Sequence, residues 1–169
     1  MYKSQFSLFL MTSLSLTAGC SMVSGVSKAS PKQFPAQPST IFSPCEQTAE
    51  SGFGYTVIRA GDGPKVADGV FTITYHGYVA STGLQYANLN KKQVATHDYT
   101  TKPAFTEAIY SLSVGDIKKF CFPPQLAYGD EKVGAIPVNS DLVEIFEVHT
   151  FTSAKEIDDS IKELRKQSN

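Results

Sequence analysis

The chain has no excess of either charge: 15 Lys and Arg face 16 Asp and Glu in 169 residues, a formal net charge of -1. That balance excludes a nucleic-acid binder working through a basic face. A 41% hydrophobic content with only 12 Gly and 9 Pro excludes a fibrous or wholly disordered chain. No run reaches the roughly 18 apolar residues that a membrane-spanning helix needs. The three histidines, His76, His97 and His149, have no cysteine or carboxylate neighbours at metal-ligand spacing. Gly52-Phe53-Gly54 and Gly61-Asp62-Gly63 are too short to cradle a phosphate and lack a following Lys-Ser/Thr. There is no Gly-x-Ser-x-Gly elbow. Nothing announces acid–base, nucleophilic or metal catalysis, so neither a metal nor a cofactor is expected.

What is present divides unevenly along the chain. Residues 1–19 read as an export signal, with Lys3 as its positive end and Phe6–Ala18 as a short apolar stretch. They end in Leu16-Thr17-Ala18-Gly19-Cys20, which resembles a bacterial lipoprotein box with Thr17 in place of the usual aliphatic. In such a box the cysteine, here Cys20, is acylated and becomes the mature N-terminus; a plain secretory signal cut nearby is the alternative. Lipid chains anchor durably because each buried CH₂ contributes about 0.8 kcal/mol. Ser21 rather than Asp follows the cysteine, which by the same resemblance points to the outer membrane. Residues 20–44, rich in Ser, Pro, Ala and Lys, read as a tether without a core of its own. Setting Cys20 aside leaves Cys45 and Cys121 in an oxidising compartment, where a disulfide is expected and two unpaired thiols are the alternative.

The rest alternates. Phe71, Ile73 and Tyr75 interleave with Thr72, Thr74 and His76 at the period of a half-buried strand. Gly54–Arg59, Asp116–Phe122 and Leu142–Val148 give further strand signals, and the last of these ends before Thr150. Between them Ala104, Phe105, Ala108, Ile109 and Leu112 recur at helical spacing behind Pro103, with Gly115 beyond the end. Residues 45–152 are therefore expected to form an α+β domain, a curved antiparallel sheet wrapped around one short helix. Residues 153–169 form a polar helix or tail with Ile157, Ile161 and Leu164 on one stripe, open to a partner or simply solvated.

Several segments occur together in an order that resembles the FKBP-type peptidyl-prolyl cis-trans isomerases. They are Val70-Phe71-Thr72-Ile73-Thr74-Tyr75-His76-Gly77, Ser113-Val114-Gly115, Pro123-Pro124-Gln125-Leu126-Ala127-Tyr128-Gly129, Gly134-Ala135-Ile136-Pro137-Val138-Asn139-Ser140, and Leu142-Val143. The resemblance spans roughly residues 50–151 and implies an FKBP-like fold and an apolar aromatic pocket for proline-containing peptide segments of exported proteins. By position it implies Tyr75 as an aromatic wall, Tyr86 as a second aromatic and Phe105 as the pocket floor. It also implies Tyr128 as a hydroxyl donor to a peptide carbonyl, Ile136 as an overhanging aliphatic, and the backbone N–H of Lys102, or of a neighbour, as a second donor.

Three positions depart from the family pattern. Ala87 stands where a supporting aspartate is usual, Glu144 where an aromatic usually closes the pocket, and Lys102 where an aliphatic is usual. Segment 89–100 follows the pattern poorly. Glu144 falls on the buried stripe Leu142, Glu144, Phe146, Val148. It is expected at the pocket mouth against a partner such as Lys102 or Tyr128, because an unpaired buried carboxylate is costly; an exposed residue at a strand irregularity is the alternative. Two functions stay open: an isomerase of the bacterial cell envelope, lipid-anchored at the outer membrane, and a catalytically impaired binding or scaffold module on that surface.

Overall fold

Alternating apolar residues need a covered face, and here one sheet supplies it by curving over a short helix. The structure, a computed structural model, describes residues 38–168. The expected export signal, Cys20 and most of the tether lie outside these residues. Among the described residues six strands are present: β1 (Gln47–Thr48), β2 (Gly54–Arg59), β3 (Gly69–Val79), β4 (Gln85–Ala95), β5 (Ile117–Phe122) and β6 (Leu142–Ser153). They form one antiparallel sheet in the order β1-β2-β5-β6-β3-β4. Among the described residues three α-helices accompany it: α1 (Pro38–Ile41), α2 (Pro103–Tyr110) and α3 (Ala154–Gln167).

The α2 helix begins as its sequence dictates, with Pro103 in the first turn, where no backbone N–H is needed. Its buried face of Ala104, Phe105, Ala108 and Ile109 packs in one core with Phe71, Ile73, Phe120, Phe122 and Phe146 from the sheet. Fully burying a side chain of this size contributes about 1.5–3 kcal/mol. The helix ends at Tyr110, so Leu112 leaves the helical stripe yet is still completely buried. Gly115 then takes a φ of 93°, the left-handed region that glycine enters without a side-chain clash.

The opposite face of the sheet is covered by the chain just ahead of Cys45. Ile41 packs with Ile117, Val143 and Ile145. The Lys119 ammonium donates to the carbonyls of Thr40 and Ser43 and to the Ser43 hydroxyl, at 3.3, 2.8 and 3.0 Å. The segment expected as tether thus packs on the sheet in its last residues. The Cys45–Cys121 disulfide is formed, with Cα atoms 6.2 Å apart.

Two further differences from expectation have simple causes. β4 is an edge strand with an exposed, lysine-bearing middle and Lys91 at a φ of 46°, so it carries no clean alternation. β6 runs on to Ser153 because Thr150 and Thr152 pair with Thr72 and Val70 of the long β3. Of the two readings of the polar C-terminal segment, helix or tail, the structure has a regular helix, started by a capping box in which Ser153 and Glu156 satisfy each other's backbone N–H groups.

Candidate functional site

Between α2 and the concave face of the sheet lies a cavity of about 110 Å³. A dry cavity of about 150 Å³ accommodates benzene, so this one matches a five-membered ring in scale. Tyr75 on β3, Phe105 on α2, Tyr128 in the loop after β5, and Glu144 on β6 all line it. The aromatic walls are tightly built. Tyr75 stacks on Phe146 with ring centroids 4.5 Å apart. Phe105 meets Phe122 edge-on at 4.7 Å and Tyr128 at 5.6 Å.

Of the other expected site residues, Tyr86 reaches the cavity wall through Glu144, while Ile136 is buried in the adjoining core, outside the lining. Lys102 caps α2. Its carbonyl accepts from the Thr106 amide and hydroxyl, its ammonium pairs with Glu131 at 3.2 Å, and that ammonium lies 5.5 Å from the Tyr128 ring centroid. Among the described residues no protein acceptor meets the backbone N–H of Lys102.

Tyr99 was not anticipated. It sits in the 3₁₀ turn Thr96–Tyr99 and lines the cavity, edge-on to Tyr75, Phe71 and Phe146. Burial, with Asp98 and Glu144 nearby, pushes its hydroxyl up to about 12. In the sequence Phe122 and Phe146 mark only strand core; their part in the lining arises from the way α2 packs on the sheet.

Glu144 is buried at the cavity wall, as the alternation required, but its partners differ from those expected. Its Oε1 accepts hydrogen bonds from the Tyr75 hydroxyl at 3.0 Å and the Tyr86 hydroxyl at 2.7 Å. Lys102 is engaged elsewhere, and Tyr128 makes no hydrogen bond to Glu144; its hydroxyl pKa is raised first by burial and then by the nearby Glu144 charge. The pair of tyrosines converges because of the backbone. Gly77 pairs with Ala87 while Tyr78 pairs with Gln85, so Tyr86 is the extra residue of a β-bulge and turns inward. At Gly77 a Cβ would lie 2.5 Å from the Tyr86 ring and 2.9 Å from the Tyr75 hydroxyl. Only glycine leaves room for both.

Burial raises the Glu144 pKa above its ordinary value, and the two tyrosine hydroxyls oppose that shift without cancelling it. The folded state therefore holds this proton more tightly than the unfolded chain. The protonated form's stability is fully present below the ordinary carboxylate range and is lost as pH rises through the raised value. Relative to wild type, Glu144→Gln is expected to gain stability as pH rises from 4 toward 8. Denaturant midpoints across that range check this; a constant difference sinks it.

The fold and the cavity together define a class. The sequence model of the FKBP-type peptidyl-prolyl cis-trans isomerase family matches residues 61–150, and the chain belongs to that family. It is 32% identical over 100 residues to the FKBP-type isomerase FkpA of Aeromonas hydrophila, and 33% identical over 101 residues to FkpA of Escherichia coli K12. Each match covers 57% of this chain but 37% of the relative, so the chain spans under two-fifths of their length. The crystal structure of E. coli FkpA superposes with a TM-score of 0.56 at 29% identity, covering 64% of this chain and 52% of that one. A peptidyl-prolyl cis-trans isomerase from Pseudomonas syringae gives a TM-score of 0.56 at 21% identity, covering 63% and 80%, and shares the fold.

Proposed function

We propose that this chain catalyses cis–trans isomerisation of X–Pro bonds in exported proteins, from a lipid anchor at Cys20 on the outer membrane of a bacterial cell envelope. The observation that carries the activity is the ring-sized cavity walled by Tyr75, Tyr99, Phe105, Phe122 and Phe146. The anchor and the location rest on the sequence of residues 1–21, with bacterial relatives in support.

The chemistry asks little of titrating groups. The planar amide resists rotation by about 18–20 kcal/mol because resonance gives its C–N bond double-bond character. That resonance separates charge, and water stabilises the separation. A twisted amide has lost it, so moving the bond from water to an aromatic wall favours the twisted form. Binding must then hold the proline ring in the cavity and the peptide in register. The Tyr128 hydroxyl and the Lys102 backbone N–H are the donors for that, since neither meets a protein acceptor among the described residues. Tyr75, Tyr86 and Ile136 shape the surrounding wall. Ala87 and Glu144, the rim departures, alter its polarity without removing the aromatic box.

The test is a proline-peptide isomerisation assay on the purified chain. Tyr128→Phe removes one orienting bond of about 1–1.5 kcal/mol, so a loss of about tenfold in kcat/KM is expected. Phe105→Ala combined with Tyr128→Phe should reduce the rate to background. Wild-type activity no higher than that double variant overturns the isomerase reading and leaves a proline-peptide binding module.

A further inference from the structure

The tyrosine hydroxyls of the cavity fall into two groups. Those of Tyr75 and Tyr86 both donate to one oxygen of Glu144. Those of Tyr99 and Tyr128 meet no protein partner among the described residues. A hydroxyl committed to a carboxyl oxygen is not offered to a peptide, and its ring is held against rotation out of the wall. With no acceptor there, two buried donors would have to turn toward the ligand or stay unsatisfied, which is costly.

The sheet register shows where that carboxyl comes from. Gly77 pairs with Glu144 of β6 on one side and with Ala87 of β4 on the other. The three residues form one row across the concave face. Ala87 packs against the same core as Tyr86, so its side chain lies on the same side as the hydroxyls. Because Gly77 has no side chain, nothing in the row separates its two flanks. The Tyr86 ring and the Tyr75 hydroxyl lie directly over it. Both hydroxyls are therefore within reach of an acidic side chain from either flank, and this chain supplies one from β6 alone.

Building on the isomerase reading, we infer that Glu144 is a positioning residue of the pocket. It acts through Tyr75 and Tyr86, committing their hydroxyls to the wall so that Tyr128 is left to donate to the peptide. A carboxylate moved across Gly77 to position 87 performs the same function. The consequence is counter-intuitive for a pocket that binds an apolar ring: replacing its buried acid with an apolar residue weakens it.

The experiment compares wild type with Glu144→Leu, Glu144→Gln and Glu144→Leu/Ala87→Asp. Two readouts are taken: the slowly exchanging hydroxyl-proton NMR signals of Tyr75 and Tyr86 in the free protein, and kcat and KM for a prolyl peptide. In Glu144→Leu both signals are expected to disappear and kcat/KM to fall about tenfold, mostly in kcat. Glu144→Gln keeps an acceptor oxygen and should keep both signals and most of the rate. The transposed variant should regain both signals and come within about threefold of wild type. Unchanged signals and rate in Glu144→Leu overturn the inference, as does a folded transposed variant no better than Glu144→Leu. Should the transposed variant not fold, the other two decide: equal losses in Gln and Leu overturn the inference, and retention in Gln alone supports it. A wild type without isomerase activity defeats the proposed function, whereas the hydroxyl signals still decide the positioning role.

Discussion

Replacing Cys45 and Cys121 together with serine is expected to lower the unfolding free energy by about 4–5 kcal/mol, from loop-closure entropy alone. The bridge closes 76 residues, so an unfolded chain without it explores far more conformations. Its surroundings leave little room for adjustment, since a Cβ on Gly54 would lie 2.7 Å from that of Cys45. Nor does the bridge act alone. It fixes the base of the segment that places Ile41 on Ile117, Val143 and Ile145 and gives the Lys119 ammonium its oxygen acceptors. Burial lowers the Lys119 pKa, so loosening that segment returns a caged cation to water and exposes its apolar neighbours together. Urea midpoints of wild type, the double serine variant and wild type under dithiol reductant measure this. The last two should agree; a loss under about 1 kcal/mol would contradict the chain-entropy argument.

Asp116→Ala is expected to cost about 3–5 kcal/mol, the range for removing one partner of a buried ion pair. The Asp116 carboxylate accepts from the backbone N–H groups of Gly61 and Ser113 at 2.7 and 2.8 Å and pairs with the Lys118 ammonium at 2.9 Å. Removing it strands two amides and leaves the Lys118 ammonium with the Ser111 carbonyl, at 2.6 Å, in place of its countercharge. Gly61 fits only because it lacks a Cβ, which would collide with the Val114 carbonyl and the Asp116 amide. Asp116→Asn keeps an acceptor and should lose less. Because Asp116 stands outside the cavity lining, kcat/KM of the folded variant should match wild type at a permissive temperature. A large fall in kcat/KM without loss of stability would contradict the structural role assigned to it.

Much of the fold was legible because alternation toward a covered face held along β3, and because the apolar stripes of β5 and β6 marked them as strands even though β6 is buried on both faces from Leu142 to Phe146. Alternation failed at β4, where an edge position exposes the strand's middle and the sequence there need not alternate. Tyr99 was hidden for a related reason: a single 3₁₀ turn has no period to read. Cys45 and Cys121 followed from simple arithmetic of compartment and count. Glu144 was half legible. The stripe of β6 placed it inward, but its partners depend on a bulge at Tyr86 and on lateral register across three strands. Neither leaves a mark in the residue order of any one strand.

The sulfur bridge also sets a load path. Tension applied to the chain ahead of Cys45 passes through the bridge to Cys121 in β5. Everything from β1 through α2, including Tyr75, Tyr86 and Phe105, sits inside the closed loop and cannot be drawn out lengthwise while the bridge is intact. Thr40 and Ser43 lie outside that loop, so their contacts with Lys119 inside it meet the load ahead of the bridge. Pulled by its leading end, the domain keeps these walls of its cavity in place until a covalent bond or the sheet beyond Cys121 gives way.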